Sequence, residues 1–193
     1  MKPAMLISAL ALCLALSALS SVEAKKKGSK EKFPAAPAGS VVAEISLGPT
    51  GSVKSSGKGM VRLVMGPNST HSLDVILMGN MPNVPMAHIH VGDKNTAGPV
   101  ALAVLPYLMA PPLATINPAV SFTGTLMFKV PFTSADLAAF SGVAGVTPAA
   151  AEATFRMQLS QEMLYVNVHT MMYPGGEIRG NLVCLSKNCA PIM

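Results

Sequence analysis

Histidine, the side chain best suited to bind a transition metal, occurs only four times in this chain, and two of the four lie in one short segment. His88 and His90 flank Ile89 within residues 87–92. On a β-strand, side chains two residues apart project from the same face, so the two imidazoles are expected to lie side by side. Paired imidazole nitrogens can supply the first two ligands of a zinc or copper site.

The same alternation recurs near the C-terminus, in a second predicted strand. Tyr165, Asn167 and His169 share one face there, and the valines between them face the other way. Two predicted strands therefore each have an apolar face and an unusually polar face, and three of the four histidines lie on the polar faces.

A third polar face follows the predicted turn at residues 174–176. Glu177 and Arg179 lie two residues apart, where they could form a buried or half-buried ion pair and hydrogen-bond Asn167 or the histidines. Such a network is stable only if every member is satisfied. The predicted polar network consists of His88, His90, Asn167, His169, Glu177 and Arg179.

Two interpretations of this network follow. We favour an architectural role, because interior polar clusters that satisfy one another are commoner than active sites. The alternative is a mononuclear zinc or copper site formed by His88, His90 and His169, with Glu177 as fourth ligand or as a hydrogen-bond partner of the ligands. A bridged two-metal site needs more histidines, and no Gly-x-Ser-x-Gly segment supports a hydrolase. No catalytic residue is predicted, and the sequence requires no cofactor.

Residues 1–24 have the features of a secretory signal peptide. Lys2 precedes an apolar run over residues 4–19, and Ala24 ends a small-residue cleavage site. The run is shorter than the roughly 20 residues that span a bilayer. We therefore predict a secreted, extracellular protein with no membrane span in its mature chain.

The basic character of the chain is concentrated just after this segment. Residues 25–32 include five lysines and one glutamate, and residues 33–40 are rich in Pro and Ala. We predict a disordered leader over residues 25–40, which could contact an anionic matrix or cell-wall component. The remainder has no basic patch and few aromatic residues, so no nucleic-acid binding is predicted.

Two covalent modifications are compatible with export. Cys184 and Cys189 are expected to form a disulfide in an oxidising compartment, within or beside the short tail over residues 186–193. Asn68 begins a glycosylation sequon in a predicted turn.

Residues 41–185 read as one all-β domain with a helical insertion. Short runs of β-branched and apolar residues are bounded by Gly, Pro or Asn, for example at Gly79-Asn80, as in a β-sandwich or barrel. Two short helices are predicted from Thr133 to about Gly142 and from Thr147 to about Ser160, before a closing hairpin. The predicted fold is a Greek-key or immunoglobulin-like β-sandwich or barrel with this insertion before the final hairpin.

Together, residues 87–92, 97–100, 165–170 and 174–182 resemble the chordin domain (CHRD) in the order of their motifs. The family is extracellular. In chordin the domain is repeated within an antagonist of bone-morphogenetic growth factors, whereas many microbial and plant-like members have one copy after a signal peptide. This chain has one copy and lacks chordin's cysteine-rich modules. The resemblance therefore implies a secreted binding or structural module that engages an extracellular protein or matrix component, with no assigned catalytic activity.

Overall fold

The computed structural model describes residues 33–93, 98–105 and 119–189. The predicted signal peptide and the lysine-rich part of the predicted leader lie outside these residues. Within them, none of the helices has the length and apolar character needed to cross a membrane.

Nine β-strands and two α-helices make up the secondary structure of the described residues. The strands are β1 (Val41–Pro49), β2 (Lys58–Met65), β3 (Thr70–Val84), β4 (Met86–Val91), β5 (Val100–Leu105), β6 (Val120–Thr133), β7 (Leu164–His169), β8 (Ile178–Asn181) and β9 (Val183–Cys184). The helices α1 (Ser134–Phe140) and α2 (Pro148–Ser160) lie between β6 and β7.

Eight of the strands form one antiparallel sheet in the order β5-β4-β7-β8-β1-β2-β3-β6, which curves into a near-closed barrel. The short β9 pairs with β1. The predicted all-β fold with two helices before the final hairpin is thus confirmed, and of the two predicted architectures the chain adopts the barrel.

The alternation of residues along β4, β7 and β8 decides which face of the sheet the histidines occupy. Ala87, Ile89, Val166, Val168 and Ile178 all belong to the buried hydrophobic core. Because successive side chains of a strand point to opposite faces, the polar residues between these positions project from the outer face of the barrel. Five of the six residues of the polar network therefore lie outside the core on three neighbouring strands, and the sixth, Glu177, lies in the loop before β8.

Strand β3 continues beyond the turn predicted at Gly79-Asn80. Gly79 pairs directly with Gly124 of β6, and both glycines have positive φ angles, 109° and 100°. A side chain at Gly79 would also collide with the backbone oxygen of Ser56. The glycine therefore permits a bend and a close approach within a long strand, where the sequence pattern suggested a chain reversal.

Both helices begin at the predicted residues. Thr133 and Asp136 form a reciprocal capping box at the start of α1. The hydroxyl of Thr147 accepts a hydrogen bond from the Ala150 amide, and Pro148 occupies the first position of α2. The apolar sides of both helices pack on the core through Leu137, Phe140, Phe155 and Leu159.

Covalent and local features complete the domain. Cys184, in β9, forms a disulfide with Cys189, and their Cα atoms are 6.3 Å apart. The bond ties the chain that follows β9 to β9 itself, which pairs with β1. Asn68 is exposed in the turn between β2 and β3 and has a positive φ of 57°.

Candidate metal centre

Three histidines from two neighbouring strands meet on the outer face of the barrel. His88 and His90 come from β4 and His169 from β7, and each offers a ring nitrogen that lies within 4.8 Å of the other two. The ring centroids are 5.3 to 6.0 Å apart. The strand register brings them together. His169 of β7 pairs with Met86 of β4, and Met86 lies two residues from His88 on the same face of that strand.

Two of the three rings are oriented by backbone carbonyls. Nδ1 of His90 lies 2.9 Å from the carbonyl oxygen of Gly98, and Nδ1 of His169 lies 2.8 Å from that of Pro174. A carbonyl oxygen can only accept, so in both rings Nδ1 carries the hydrogen and Nε2 of the neutral ring keeps its lone pair. This is the hydrogen-bonding pattern that fixes the tautomer and ring orientation of metal-binding histidines.

The remaining ring nitrogens are buried and have no hydrogen-bond partner among the residues that the structure describes. They are Nε2 of His90, Nε2 of His169 and both nitrogens of His88. Buried polar atoms in folded proteins are nearly always satisfied. Three such nitrogens around a common point form a set of donors suited to one cation.

Burial keeps the three imidazoles neutral. It lowers the pKa of His88 from 6.5 to about 4, with a smaller contribution from the neighbouring His169 and His90. Burial also lowers the pKa of His90 and of His169, against the opposing effect of their carbonyl hydrogen bonds. Metal ions bind the lone pair of the neutral imidazole, so the three histidines are in the form that binds metal at neutral pH.

A stacked column of side chains supports His90. The Tyr165 ring lies parallel to the His90 ring, with an interplanar angle of 6° and centroids 5.0 Å apart. The guanidinium of Arg179 lies 3.9 Å from the centre of the Tyr165 ring and donates to the backbone oxygen of Asp93. The column holds the His90 ring in place by stacking and by a cation–π contact.

Glu177 is separate from both the histidines and Arg179. Its buried carboxylate accepts hydrogen bonds from the hydroxyls of Ser55 and Thr170. Arg179 makes no ion pair with it, and Glu177 does not join the nitrogen cluster. Its place is in the loop after β7, where it anchors Thr170 next to His169.

Asn167 links this loop to the centre of the site. Its side-chain amide nitrogen donates to the carbonyl oxygen of Gly175 at 3.2 Å. Gly176 lies against the same amide group, so that a Cβ at this position would overlap it, and the φ of Gly176 is 116°. Both the space and the backbone conformation therefore require glycine here.

Replacing Gly176 by Ala is expected to destabilise the domain, with about 1–3 kcal/mol arising from backbone strain alone. The new methyl group would also displace the Asn167 amide. Gly175→Ala is the matched control, because a Cβ at Gly175 would meet no atom within 4 Å. Urea unfolding of both variants checks the prediction, which is contradicted if the two lose equal stability.

The fourth histidine belongs to a second polar cluster, which the sequence did not predict. Nε2 of His71, on β3, lies 3.4 Å from both the Ser134 hydroxyl and the Glu152 carboxylate. Ser134 donates to Glu152 at 2.5 Å, and Arg156 pairs with the same carboxylate. Because the serine hydroxyl donates to the carboxylate and not to the imidazole, this is not a nucleophile–base pair. The cluster fastens both helices to the barrel.

Comparison with protein-family models matches residues 33–182, most of the chain, to the CHRD domain. No curated protein and no solved structure matches the chain.

Proposed function

This chain belongs to the CHRD domain family, and from that starting point we propose that its domain binds one zinc or copper ion through His88, His90 and His169. One observation supports the proposal above all others: the three histidines offer ring nitrogens within 4.8 Å of one another, each ring has a buried nitrogen with no hydrogen-bond partner in the described part of the chain, and two of the rings are already oriented by backbone carbonyls.

These unpartnered nitrogens favour metal binding over a purely architectural role. An architectural cluster gains stability only when its members satisfy one another, and each buried polar group left without a partner costs about 1–3 kcal/mol. The imidazoles of His88, His90 and His169 make no hydrogen bonds to one another. A metal ion at their centre would satisfy one lone pair of each ring.

The ligand set leaves room for one more ligand. Among the described residues, the cluster contains only the three histidines, and the Glu177 carboxylate is already bound by two hydroxyls. Three neutral nitrogen ligands suit zinc and copper alike. A fourth position can then hold water or an exogenous ligand, whose charge the metal would stabilise. We propose no catalytic activity.

We further propose that the domain acts outside the cell. The apolar segment ahead of Ala24 and the pairing of Cys184 with Cys189 support export. The lysines of residues 25–32 favour an anionic matrix or cell-wall component as a partner, and an extracellular protein is the alternative.

Elemental analysis of the purified protein is expected to find about one equivalent of zinc or copper after incubation with the metal and dialysis. His90→Ala and His169→Ala should each lose that equivalent, because two nitrogens alone hold these ions weakly. His71→Gln is the matched control, since His71 lies in the separate cluster with Ser134 and Glu152 and should leave metal content unchanged. Circular dichroism verifies that each variant is folded. A folded wild type that retains no metal would refute the proposal, as would full retention by His90→Ala.

A further inference from the structure

We infer that Asn167 is a positioning residue of the metal centre: its side-chain oxygen accepts a hydrogen bond from the ring N–H of metal-bound His88, while its amide nitrogen holds the turn that orients His169. This inference rests on the proposed metal binding and extends it to a side chain outside the ligand set.

The orientation of the Asn167 amide follows from its one hydrogen bond. The Gly175 carbonyl can only accept, so the atom 3.2 Å from it must be the amide nitrogen. The side-chain oxygen, Oδ1, is then the atom that is buried without any partner. With Asn167 only 4% exposed, water does not readily satisfy this oxygen.

His88 has the complementary deficiency. Both of its ring nitrogens are buried without hydrogen-bond partners among the described residues, and a neutral imidazole carries a hydrogen on one of them. Once the other nitrogen binds a metal, that N–H needs an acceptor. Asn167 lies directly opposite His88 in the β4–β7 register, and because their Cα atoms are paired, both side chains lie on the same face. An unpaired acceptor and an unpaired donor are therefore cross-strand neighbours.

The other two ligands show what His88 lacks. His90 and His169 already have acceptors for their outer N–H groups, the carbonyls of Gly98 and Pro174. Within residues 33–93, 98–105 and 119–189, no backbone carbonyl accepts a hydrogen bond from the ring of His88. With Asn167 Oδ1 as the third acceptor, every ligand would have its tautomer fixed. The same side chain anchors Gly175, next to the Pro174 carbonyl, so it would position two of the three ligands.

Three variants separate these roles. Asn167→Leu keeps the size of the side chain but removes both polar atoms, and it is expected to weaken zinc binding about 10- to 100-fold, the usual effect of losing such a partner. Asn167→Asp keeps an oxygen acceptor and loses the donor to Gly175, so it should melt at a lower temperature and bind zinc more weakly than wild type, yet more tightly than Asn167→Leu. Asn181→Leu is the matched control: Asn181 lies on the same outer face but donates to the Glu162 and Gly92 carbonyls. It should lose stability without losing affinity.

Zinc affinity is measured by competition with a chelator, and the state of His88 by NMR of the ¹⁵N-labelled, zinc-loaded protein. In wild type the outer N–H of His88 should exchange slowly with water, and Asn167→Leu should abolish that protection. If Asn167→Leu fails to fold, the wild-type exchange rate and the affinity of Asn167→Asp decide the matter. Rapid exchange in zinc-loaded wild type, or equal loss of affinity in the Leu and Asp variants, would overturn the role of Asn167 and leave metal binding intact. A wild type that binds no zinc would overturn both.

Discussion

Acidification of the metal-free protein from pH 7 to pH 4 is expected to lower its free energy of unfolding by about 3 kcal/mol through His88 alone. The pKa of His88 is about 4 in the folded domain, against an ordinary value of 6.5 that it regains on unfolding. As the pH falls below 6.5, His88 therefore binds a proton in the unfolded chain but stays neutral in the folded domain. His88 therefore leaves the free energy of unfolding nearly unchanged above pH 6.5 and lowers it progressively as the pH falls from 6.5 toward 4.

The other buried histidines act in the same direction. Burial lowers the pKa of His71, His90 and His169 as well, so each adds to the loss below pH 6.5. Urea unfolding at pH 7, 6, 5 and 4 in the presence of a chelator measures the slope. His88→Gln replaces the imidazole with a group that does not titrate, so its stability should fall less steeply than that of wild type. Equal slopes in the two proteins would contradict the low pKa of His88.

The outer polar face could be predicted from the sequence because strand alternation leaves little freedom. Once His88 and His90 lie on a strand with Ile89 in the core, both imidazoles must face away from it. The same holds for Asn167 and His169. Membership of the CHRD domain family, predicted from the order of the motifs, is confirmed by the family match over residues 33–182.

Two partners of the polar residues could not be predicted, because they come from distant parts of the chain. Glu177 lies near Arg179 in sequence, yet its carboxylate binds Ser55, 122 residues away. His71 and Glu152 meet only because α2 packs against the barrel. Short-range patterns fix which face a side chain occupies, whereas the packing of loops and helices decides what covers that face.

Because the sequence indicates the face of a side chain but not its partners, the architectural interpretation appeared the stronger one from the sequence alone. In that interpretation Glu177 and Arg179 could pair with each other and hydrogen-bond Asn167 or the histidines. In the folded chain Glu177 is bound by hydroxyls and Arg179 lies over Tyr165. The ring nitrogens are left unpartnered, and that deficit is visible only when every hydrogen bond of the site is known.

Saturation with zinc is expected to reverse much of the instability of the metal-free domain. A ligand that binds only the folded state at 1,000 times its dissociation constant raises the free energy of unfolding by about 4 kcal/mol. Thermal unfolding with zinc and then with excess chelator measures this gain and its reversal. His169→Ala, which removes one ligand, should show neither effect. If wild type and His169→Ala respond equally, the stabilisation comes from zinc bound elsewhere.

The affinity for zinc should fall less between pH 7 and pH 6 than that of an exposed cluster of histidines, and this distinguishes the site from histidines on the surface. Exposed imidazoles with the ordinary pKa of about 6.5 compete with protons over that range, so they bind metal more weakly as the pH falls. The pKa of His88 is about 4, and burial lowers the pKa of His90 and His169 as well, so zinc has fewer protons to displace here than at exposed imidazoles. The burial that makes the metal-free domain sensitive to acid thus also prepares its nitrogens for the metal. Zinc titrations at pH 7 and pH 6 should therefore give a smaller change in dissociation constant than three imidazoles with a pKa of 6.5 would give, and a change as large as theirs would mean that burial does not lower these pKa values in solution.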